Sequence, residues 1–502
     1  MPPSFAGLTG KKLSLAISTV ATTGFLLFGY DQGVMSGIID ADPFHDYFPE
    51  TKDSTMQGFV TAIYEIGCLF GAMFILWIGD LLGRRRAMIL GGWIMIVGVI
   101  IQVTAMKGHK ALAQLIIGRT ITGVGNGINT STIPTYQAEC STTTNRGLLI
   151  CIEGGIIAFG TLIAYWIDYG CSYGPQDLTW RFPIAFQCIF GLILCVSMVW
   201  LPESPRWLLT HDRHEEAERV IAAIRGFEVD SDETRAERDR VVDSIRASGF
   251  AAQKSTPVKA LFTGGKTQHF RRMLLGSGSQ FMQQVGGCNA VIYYFPILCT
   301  DIFGDKNFAL LLGGINMIVY AIFATSSWFL IERVGRRKLL LIGTAGQMLS
   351  MFLTMGFLIP GGSDPGNNAP QISKGAIAGL FTYIASFGAT WLPLPWLYPA
   401  EINPLKTRGK ANATSTCTNW LFNFTANRSL EEIDIIFAKG FVEKMSYVQA
   451  AKELPFLSHE EVEREAIRLG LVDESSRGGV LEKPNEESGT VRDDSGFNSE
   501  KS

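Results

Sequence analysis

The chain contains 502 residues, 47% of them hydrophobic and 18% charged, and carries a formal net charge of −3 at pH 7. This balance argues against binding to nucleic acid, which requires a basic surface. Nine cysteines lie mainly within apolar runs, without a CxxC pair or a His–Cys cluster at metal-ligand spacing. We interpret them as packing residues and expect neither a metal nor a cofactor.

Ten apolar runs are each long enough to cross about 30 Å of hydrocarbon as a helix. They cover residues 13–38, 57–79, 87–106, 111–133, 148–170, 182–201, 272–299, 308–331, 339–359 and 375–398. A shorter and more polar run at 410–426 is a candidate eleventh. Most runs contain glycine, proline and polar residues, which helices that line a cavity need. The sequence therefore predicts an all-α protein that crosses the lipid bilayer many times.

Two landmarks occur twice along the chain. The basic segments GDLLGRRR at 79–86 and ERVGRRK at 332–338 each stand between two apolar runs. Further on, Glu139 and Glu401 each precede an arginine by seven residues, Arg146 and Arg408. Such a duplication is typical of secondary transporters, whose substrate site lies between two halves near the middle of the bilayer.

The repeat sets the predicted domain boundaries. We expect a six-helix bundle over residues 1–202, a cytosolic helical linker over 203–270, a second bundle over 271–426 and a cytosolic tail over 427–502. Within the linker, residues 215–225 and 234–246 have the pattern of amphipathic helices. The tail is rich in Ser, Gly, Asp and Glu from about residue 473, so we expect disorder there.

The distribution of loop charges predicts the orientation. The short basic loops all fall on one side if the first helix starts inside the cell, whereas the first loop of the other side is acidic. The positive-inside rule then places the N-terminus in the cytosol.

The second half is shorter than the first. In the first half, Glu139 is followed after about 67 residues by Arg206 of the segment PESPRWLL. The candidate counterpart in the second half, Arg428, stands about 40 residues too close to Glu401. This shortfall corresponds to the rest of an eleventh helix and a complete twelfth.

Several further motifs together resemble the sugar porters of the major facilitator superfamily over nearly the whole chain. They are the two Gly-Arg-Arg loops, GR at 118–119 with TGVG at 122–125, PESPR at 202–206, QFMQQ at 280–284, Asn289 and the pair Tyr293-Tyr294. Within that family the chain is most similar to fungal sugar-transporter-like proteins that carry glycerol with protons. This similarity rests on GLTGKKL at 7–13, YEIGC at 64–68, AYWID at 164–168, STCTNW at 415–420 and SLEEIDIIF at 429–437. The resemblance implies the major facilitator fold, two pseudo-symmetric bundles of six helices in the plasma membrane.

The resemblance also points to a deletion. Family members carry a Pro-Glu-Thr-x-Gly run directly before Arg-Ser-Leu, and this run is absent before Arg428. We therefore expect most of helix 11 and all of helix 12 to be missing, which leaves about 10 to 11 membrane helices. Because a truncated second bundle would expose polar groups to lipid, we expect the chain as written to transport poorly.

Amide side chains suit a polyol or a sugar because they both donate to and accept from hydroxyl groups. Gln283, Gln284 and Asn289 meet this need, and Gln280 lies on the same helix face. The resemblance assigns these positions to the substrate, and we add Asn419 to the set. The alternative is that the amides join one helix to another.

Aromatic rings can cover the apolar face of such a substrate, and the candidates are Phe28, Trp396 and Trp420. Two positions depart from the pattern of hexose carriers. Gly154 stands where family members have a glutamine, and Tyr320 stands where many hexose carriers have an asparagine. The loss of two amides and the gain of a phenol suggest a smaller substrate, such as a polyol.

Acidic side chains within the membrane are costly and are therefore functional candidates. The clearest are Asp31, Glu65 and Glu153, and no histidine falls near the middle of a run. The resemblance makes Asp31 the proton carrier and Arg119 its partner, because proton-coupled sugar porters have an aspartate at this position. The alternative is a static ion pair that holds two helices together.

Charged residues at the cytosolic helix ends are expected to form a latch that closes the carrier on that side. In the first half they are Arg84, Arg85, Glu139 and Arg146; in the second half they are Arg333, Arg336, Glu401 and Arg408. The positive-inside rule explains the arginines but not the two glutamates at matching spacing.

These observations favour a proton-coupled carrier of glycerol or a small sugar. A passive hexose facilitator is the second hypothesis, and a nutrient sensor that binds sugar and signals through its tail is the third. No nucleophile, metal cluster or phosphate-binding loop is present, so we do not expect an enzyme.

Overall fold

The structure is a computed structural model that describes residues 3–108, 110–141, 146–247, 258–264, 267–363, 369–404 and 407–425. Apart from an isolated bridge between Phe5 and Leu8, the regular secondary structure in these ranges is helical. The predicted disordered tail and the predicted loss of a twelfth helix lie outside the described residues.

The described residues up to 247 form ten α-helices. Seven precede the linker: α1 (Gly10–Ile38), α2 (Asp42–Tyr47), α3 (Ser54–Leu82), α4 (Arg84–Val103), α5 (Ala111–Cys140), α6 (Arg146–Cys171) and α7 (Leu178–Trp200). Three belong to the linker: α8 (Pro205–Thr210), α9 (His214–Arg225) and α10 (Asp232–Ala247). The last two coincide with the amphipathic segments predicted there. Of these, α9 buries its apolar face against α1 and α8.

The second part of the described chain contains α11 (His269–Val285), α12 (Cys288–Phe303), α13 (Lys306–Val334), α14 (Arg336–Ser363), α15 (Ala369–Ala389), α16 (Leu394–Ile402) and α17 (Arg408–Thr425). All ten predicted runs are helical, but two of them are broken. The run at 272–299 is divided between α11 and α12, and the run at 375–398 is divided between α15 and α16.

Within the described residues, eight helical segments are long and apolar enough to span a membrane by composition. Helix α5 is not among them because it carries polar residues such as Arg119, Asn126 and Asn129, all of which are buried inside the protein. Helix α17 is 18 residues long, which corresponds to about 27 Å. The expectation that most of the eleventh helix is missing is therefore not supported by the described residues.

The halves pack both within themselves and against each other. In the first half α1 packs on α6 and α7, and α5 packs between α3 and α4; in the second half α15 packs on α13 and α14. Between the halves, α6 lies along α13, α3 lies along α17, and α1 contacts α12. These last contacts bring polar residues of α1 close to the broken helix of the second half.

Close helix contacts in the first half require glycine. An added Cβ at Gly29 of α1 would lie 2.0 Å from the carbonyl oxygen of Ile157 on α6, and one at Gly127 of α5 would lie 2.0 Å from that of Cys68 on α3. The backbones therefore approach each other directly, as small residues allow in membrane helices.

The side of the membrane that carries Arg84 and Arg336 is here named the basic face. On the opposite face Lys306, at the start of α13, donates from Nζ to Oδ1 of Asp42 at 2.8 Å and to the carbonyl oxygen of Asp40 at 2.9 Å. The hydrogen bond from Lys306 holds the pKa of the Asp42 carboxyl below its usual value. This exposed pair links the first half to the second.

The glycine contacts predict a stability difference. We expect Gly29→Ala and Gly127→Ala each to cost about 1–3 kcal/mol, because backbone cannot move aside as a flexible side chain can. The measurement is the thermal midpoint of the purified protein in detergent. Gly356→Ala in α14 is the control, since nothing lies within 4 Å of an added Cβ there. An equal midpoint in all three variants would contradict the prediction.

Candidate functional site

A cavity lies between the halves and is surrounded by side chains of both. Its volume is about 30 Å³, which is room for about two water molecules. Its lining comes from α1, α6, α11, α12, α13, α15, α16 and α17, and from the segment between α15 and α16: Phe28, Gln32, Ile157, Thr161, Gln283, Gln284, Cys288, Asn289, Ile292, Tyr320, Phe387, Leu392, Trp396, Asn419 and Asn423. Six of the eight predicted substrate residues are in this set, and Gln280 and Trp420 are buried directly next to it.

The break between α15 and α16 explains why glutamines stand on α11. A helix end leaves carbonyl oxygens without intrahelical partners, and these must be satisfied in a membrane. Gln283 Nε2 donates to the carbonyl oxygens of Trp391 at 2.7 Å and Leu392 at 3.2 Å. One turn away, Gln280 Nε2 donates to the carbonyl oxygen of Pro395 at 2.8 Å.

The remaining amides continue this network into the cavity. Asn419 Nδ2 on α17 donates to Oε1 of Gln280 at 2.6 Å and to Oε1 of Gln283 at 3.1 Å. Asn289 Nδ2 donates to Gln284 Oε1 at 2.5 Å and also to Asn423 Oδ1. The amides of α11, α12 and α17 thus form a polar surface that faces the cavity.

The predicted aromatic residues also come together. The ring of Phe28 on α1 meets the rings of Trp396 and Trp420 edge to face, with centroid distances of 5.7 Å and 5.1 Å. Trp420 is fully buried. The three rings form an apolar wall beside the amides, and they come from both halves of the chain.

Sequence reasoning missed three polar residues of the cavity, Gln32, Thr161 and Asn423. Two of these residues could have been predicted from their positions in the sequence. Asn423 stands four residues after Asn419, so both lie on one helix face, and Gln32 directly follows Asp31. Tyr320 and Gly154 are the two positions that differ from the pattern of hexose carriers. Tyr320 lines the cavity. Gly154 faces Pro393, whose Cα would lie 2.8 Å from a Cβ added at Gly154.

Asp31 and Arg119 are both buried but do not form the direct ion pair expected between them. Asp31 Oδ2 accepts a hydrogen bond of 3.1 Å from the hydroxyl of Tyr64 on α3. Arg119 instead donates from Nε to the carbonyl oxygen of Val60 at 2.8 Å and from Nη2 to that of Thr61 at 3.3 Å. Its guanidinium lies 5.5 Å from the ring centre of Tyr64, so that Tyr64 contacts both charged groups.

Glu65 and Glu153, the other two acids predicted within the membrane, differ in their hydrogen bonds. Glu65 accepts hydrogen bonds from Gln32 and Tyr293. Glu153 is fully buried on α6, and neither of its carboxyl oxygens has a hydrogen-bond partner among the described residues. Asp168, near the other end of that helix, is also buried and lies against Gly37 of α1. Neither Glu153 nor Asp168 lines the cavity.

On the basic face, two of the four predicted latch residues of each half form an ion pair. Arg84 binds Glu139 through Nε at 3.1 Å and Nη2 at 3.2 Å, and the Ser204 hydroxyl donates to Glu139 at 2.6 Å. In the second half, Arg336 binds Glu401 at 3.0 Å and Glu332 at 3.0 Å. Each glutamate therefore pairs with an arginine of its own half.

The other latch residues have different surroundings. The Arg85 guanidinium donates to the carbonyl oxygens of Met198 and Val199 at the end of α7. Arg333 is exposed in the last turn of α13. Arg408 begins α17. The side chain of Arg146 lies outside the described part of the structure.

Glu203 organises the loop before α8. Its carboxyl accepts hydrogen bonds from the backbone N–H groups of Ser204, Arg84 and Arg85. Burial raises the pKa of the Glu203 carboxyl above its usual value, although these bonds and the charge of Arg84 act in the opposite direction.

A contact between the halves on this face comes from Lys410, which the sequence did not single out. Its Nζ donates to the carbonyl oxygen of Leu76 at 2.9 Å and lies 3.8 Å from Asp80 Oδ2. Lys410 is on α17 and Leu76 and Asp80 are on α3. The ammonium group thus joins the two halves at the basic face.

Comparison with known proteins agrees with this architecture. The family model described as "Sugar (and other) transporter" matches residues 16–434. "Sugar transporter STL1" of Saccharomyces cerevisiae is 40% identical over 515 positions, covering 93% of this chain and 89% of the relative. "Major facilitator superfamily transporter mfsA" of Aspergillus fumigatus is 40% identical over 93% of this chain and 94% of the relative.

Solved structures give the same fold. The proton:xylose symporter XylE bound to 6-bromo-6-deoxy-D-glucose matches with a TM-score of 0.71 at 24% identity, covering 90% of this chain and 98% of that chain. The inward-open xylose transporter XylE from E. coli matches with a TM-score of 0.65.

Membrane helices in this arrangement around a buried polar cavity define a carrier with the major facilitator fold. The length of the family match and the 40% identity to two relatives show that the chain belongs to the sugar transporter family of the major facilitator superfamily. The predictions of a membrane carrier rather than an enzyme, and of an all-α major facilitator fold, are confirmed.

The bridge made by Lys410 predicts a transport defect. Lys410→Gln removes the charge that joins α17 to α3, and we expect transport to fall about fivefold to tenfold, equivalent to about 1–1.4 kcal/mol. The measurement is initial uptake in cells with matched surface expression. Lys338→Gln is the control, because Lys338 is an exposed lysine of the same face. A changed substrate preference, or an equal loss in the control, would contradict the role.

Proposed function

We propose that this chain is a proton-coupled symporter of glycerol or a small sugar that works by alternating access in the plasma membrane. The observation that carries the proposal is the cavity of amides and aromatic rings between the halves, next to the buried Asp31. In this proposal the basic face is cytosolic, as the positive-inside rule predicts. Substrate enters from the opposite face and leaves at the basic face when the halves rock.

The cavity chemistry supports a hydroxylated substrate of small size. Gln284, Asn289 and Asn423 offer donors and acceptors to hydroxyl groups, and Phe28 and Trp396 offer an apolar surface to C–H groups. The Tyr320 ring occupies part of the lining, and Pro393 fills the place next to Gly154. Both features reduce the space and the number of amides available for a hexose.

Asp31 supports proton coupling in this proposal. The carboxyl and the Arg119 guanidinium are on either side of Tyr64, and Asn126 Nδ2 also donates to the Tyr64 hydroxyl. Protonation of Asp31 would remove the negative charge that Arg119 faces and would change the hydrogen bond made by Tyr64. A change on α1 would then reach α3 and α5, which carry these partners.

A passive hexose facilitator is the alternative to be tested. It would share the cavity but would not accumulate substrate against a gradient. One XylE structure in the comparison is described as a proton:xylose symporter, which supports coupling by analogy of fold.

The first test is uptake of labelled glycerol and glucose by carrier-deficient cells that express this chain, with external pH recorded. We expect glycerol to accumulate, at a low rate for the chain as written, and the medium to become alkaline. Asp31→Asn should abolish accumulation, whereas Asp168→Asn, the same change at a buried acid outside the cavity, should retain it. Accumulation by Asp31→Asn would refute the coupling role, and equilibration without a pH change would favour the facilitator.

A second prediction concerns substrate size. Tyr320→Asn should raise the ratio of glucose to glycerol uptake by about tenfold, since removal of a ring adds room and one amide. Tyr320→Phe keeps the ring and should leave the ratio unchanged. Competition uptake with both labels measures the ratio, and an unchanged ratio in Tyr320→Asn would show that this ring does not set the preference.

The predicted deletion needs a separate control. The alignment with the yeast relative spans 515 positions, more than the 502 residues of this chain, so part of that relative has no counterpart here. We infer that the chain as written transports poorly. Insertion of the corresponding yeast segment before Arg428 should raise uptake, and an unchanged rate would refute this inference.

A further inference from the structure

Three polar side chains from both halves meet beside the cavity: Gln32 on α1, Glu65 on α3 and Tyr293 on α12. We name them the Glu65 cluster. Gln32 Nε2 lies 3.1 Å from Glu65 Oε1, and the Tyr293 hydroxyl lies 2.8 Å from the same oxygen. The Tyr293 hydroxyl is also within hydrogen-bond distance of Gln32 Oε1. All three residues are at least 95% buried.

These side chains make three contacts, and each contact needs one hydrogen. When Glu65 is ionised, the cluster has only two hydrogens available for them. The Gln32 amide supplies one hydrogen to Glu65 Oε1. The Tyr293 hydroxyl has a single hydrogen and can give it to Gln32 or to Glu65, but not to both. One contact between two oxygens is then left without a hydrogen, which is unfavourable in a buried site.

Exchange of the nitrogen and oxygen positions of Gln32 does not remove the shortage. In that orientation Gln32 donates to the Tyr293 hydroxyl, and Tyr293 donates to Glu65. The amide oxygen of Gln32 then faces Glu65 Oε1 with no hydrogen between them. In either orientation a proton on Glu65 supplies the third hydrogen and satisfies all three contacts.

We propose that Glu65 is a second proton-binding site, whose neutral form holds α12 against α1 and α3. The proton comes from water that reaches the cavity and forms an O–H bond on Glu65 Oε1, and it returns to water when the contact opens. The inference deepens the proposed carrier function and rests on it for its role in transport. It adds a carboxyl that joins the two halves, whereas the hydrogen bond of Asp31 is to Tyr64 of the first half.

Because α12 contacts the first half, protonation of Glu65 would change how strongly the two halves are joined. Gly287 has a φ of +85° and separates α12 from α11, so the chain changes direction between these two helices. Beside Tyr293, the carbonyl oxygen of Ile292 accepts hydrogen bonds from Ser36 and Tyr165. Loss of the Glu65 contact would weaken the attachment of α12 to the first half, where the bonds to Ile292 remain.

No cation within the described residues neutralises Glu65 by direct contact. The other titratable groups around it are Asp31 on α1, Tyr64 and Cys68 on α3, Arg119 on α5 and Cys288 on α12. The Arg119 guanidinium binds the carbonyl oxygens of Val60 and Thr61. On α17, Lys410 lies 3.8 Å from Asp80. Asp80 is about 22 Å from Glu65 along α3, so Lys410 does not contact Glu65.

The test is hydrogen–deuterium exchange of residues 288–303 in the full chain, purified in lipid nanodiscs, over the pH range in which carboxyl groups titrate. After correction for intrinsic exchange, we expect wild-type protection to fall about tenfold as pH rises, the effect of one hydrogen bond to an ionisable group. Glu65→Gln has amide hydrogens but no titration, so it should stay protected throughout. Tyr293→Phe lacks the hydroxyl and should be unprotected throughout.

Asp31→Asn is the control that separates the two acids, and it should keep the pH dependence of α12. Equal pH dependence in wild type and Glu65→Gln would overturn the inference, as would its loss in Asp31→Asn alone. Because exchange is read without substrate, the result does not depend on uptake. Uptake with no pH response of α12 would refute only the Glu65 site. A pH response without uptake, even after insertion of the yeast segment before Arg428, would refute only the carrier function.

Discussion

Within hydrocarbon, each backbone carbonyl and N–H group has to find its partner inside the protein. The second half of this chain breaks two helices at membrane depth, and each break is satisfied by a side chain from the other broken helix. Gln283 of α11 donates to carbonyls of the α15–α16 break, and the Tyr383 hydroxyl of α15 donates to the carbonyl oxygen of Gly286 at 2.6 Å. This exchange fixes the two breaks side by side and forms one wall of the cavity.

The same constraint resolves an ambiguity in the sequence. Amides at 280, 283 and 284 could serve either as contacts between helices or as ligands for a substrate. Gln280 and Gln283 use their nitrogens for the backbone of the break, whereas Gln284 and Asn289 bond to each other at the cavity surface. Gln280 and Gln283 thus join helices in this structure, and the substrate role of Gln284 and Asn289 stays a prediction that spacing along the helix cannot test.

Much of the fold was predictable because length and apolarity are local properties of the sequence. The ten runs and the two linker helices needed no knowledge of distant residues. The placement of Tyr64 between Asp31 and Arg119 was not predictable, since it depends on the rotation of α3 relative to α1 and α5. The latch shows the same limit: the sequence identified Arg84, Glu139, Arg336 and Glu401, but the pairing within each half and the bridge by Lys410 depend on three-dimensional position.

The hydrogen bonds that Gln283 makes within the protein affect the free energy of substrate binding. Its amide nitrogen is bonded to the α15–α16 break, and its oxygen accepts from Asn419, so both polar atoms are already occupied in this structure. A hydroxyl group that engages Gln283 has to displace one of these internal bonds. A substrate would thus compete with the protein's own backbone, and its measured affinity would include the free energy needed to release that segment of chain.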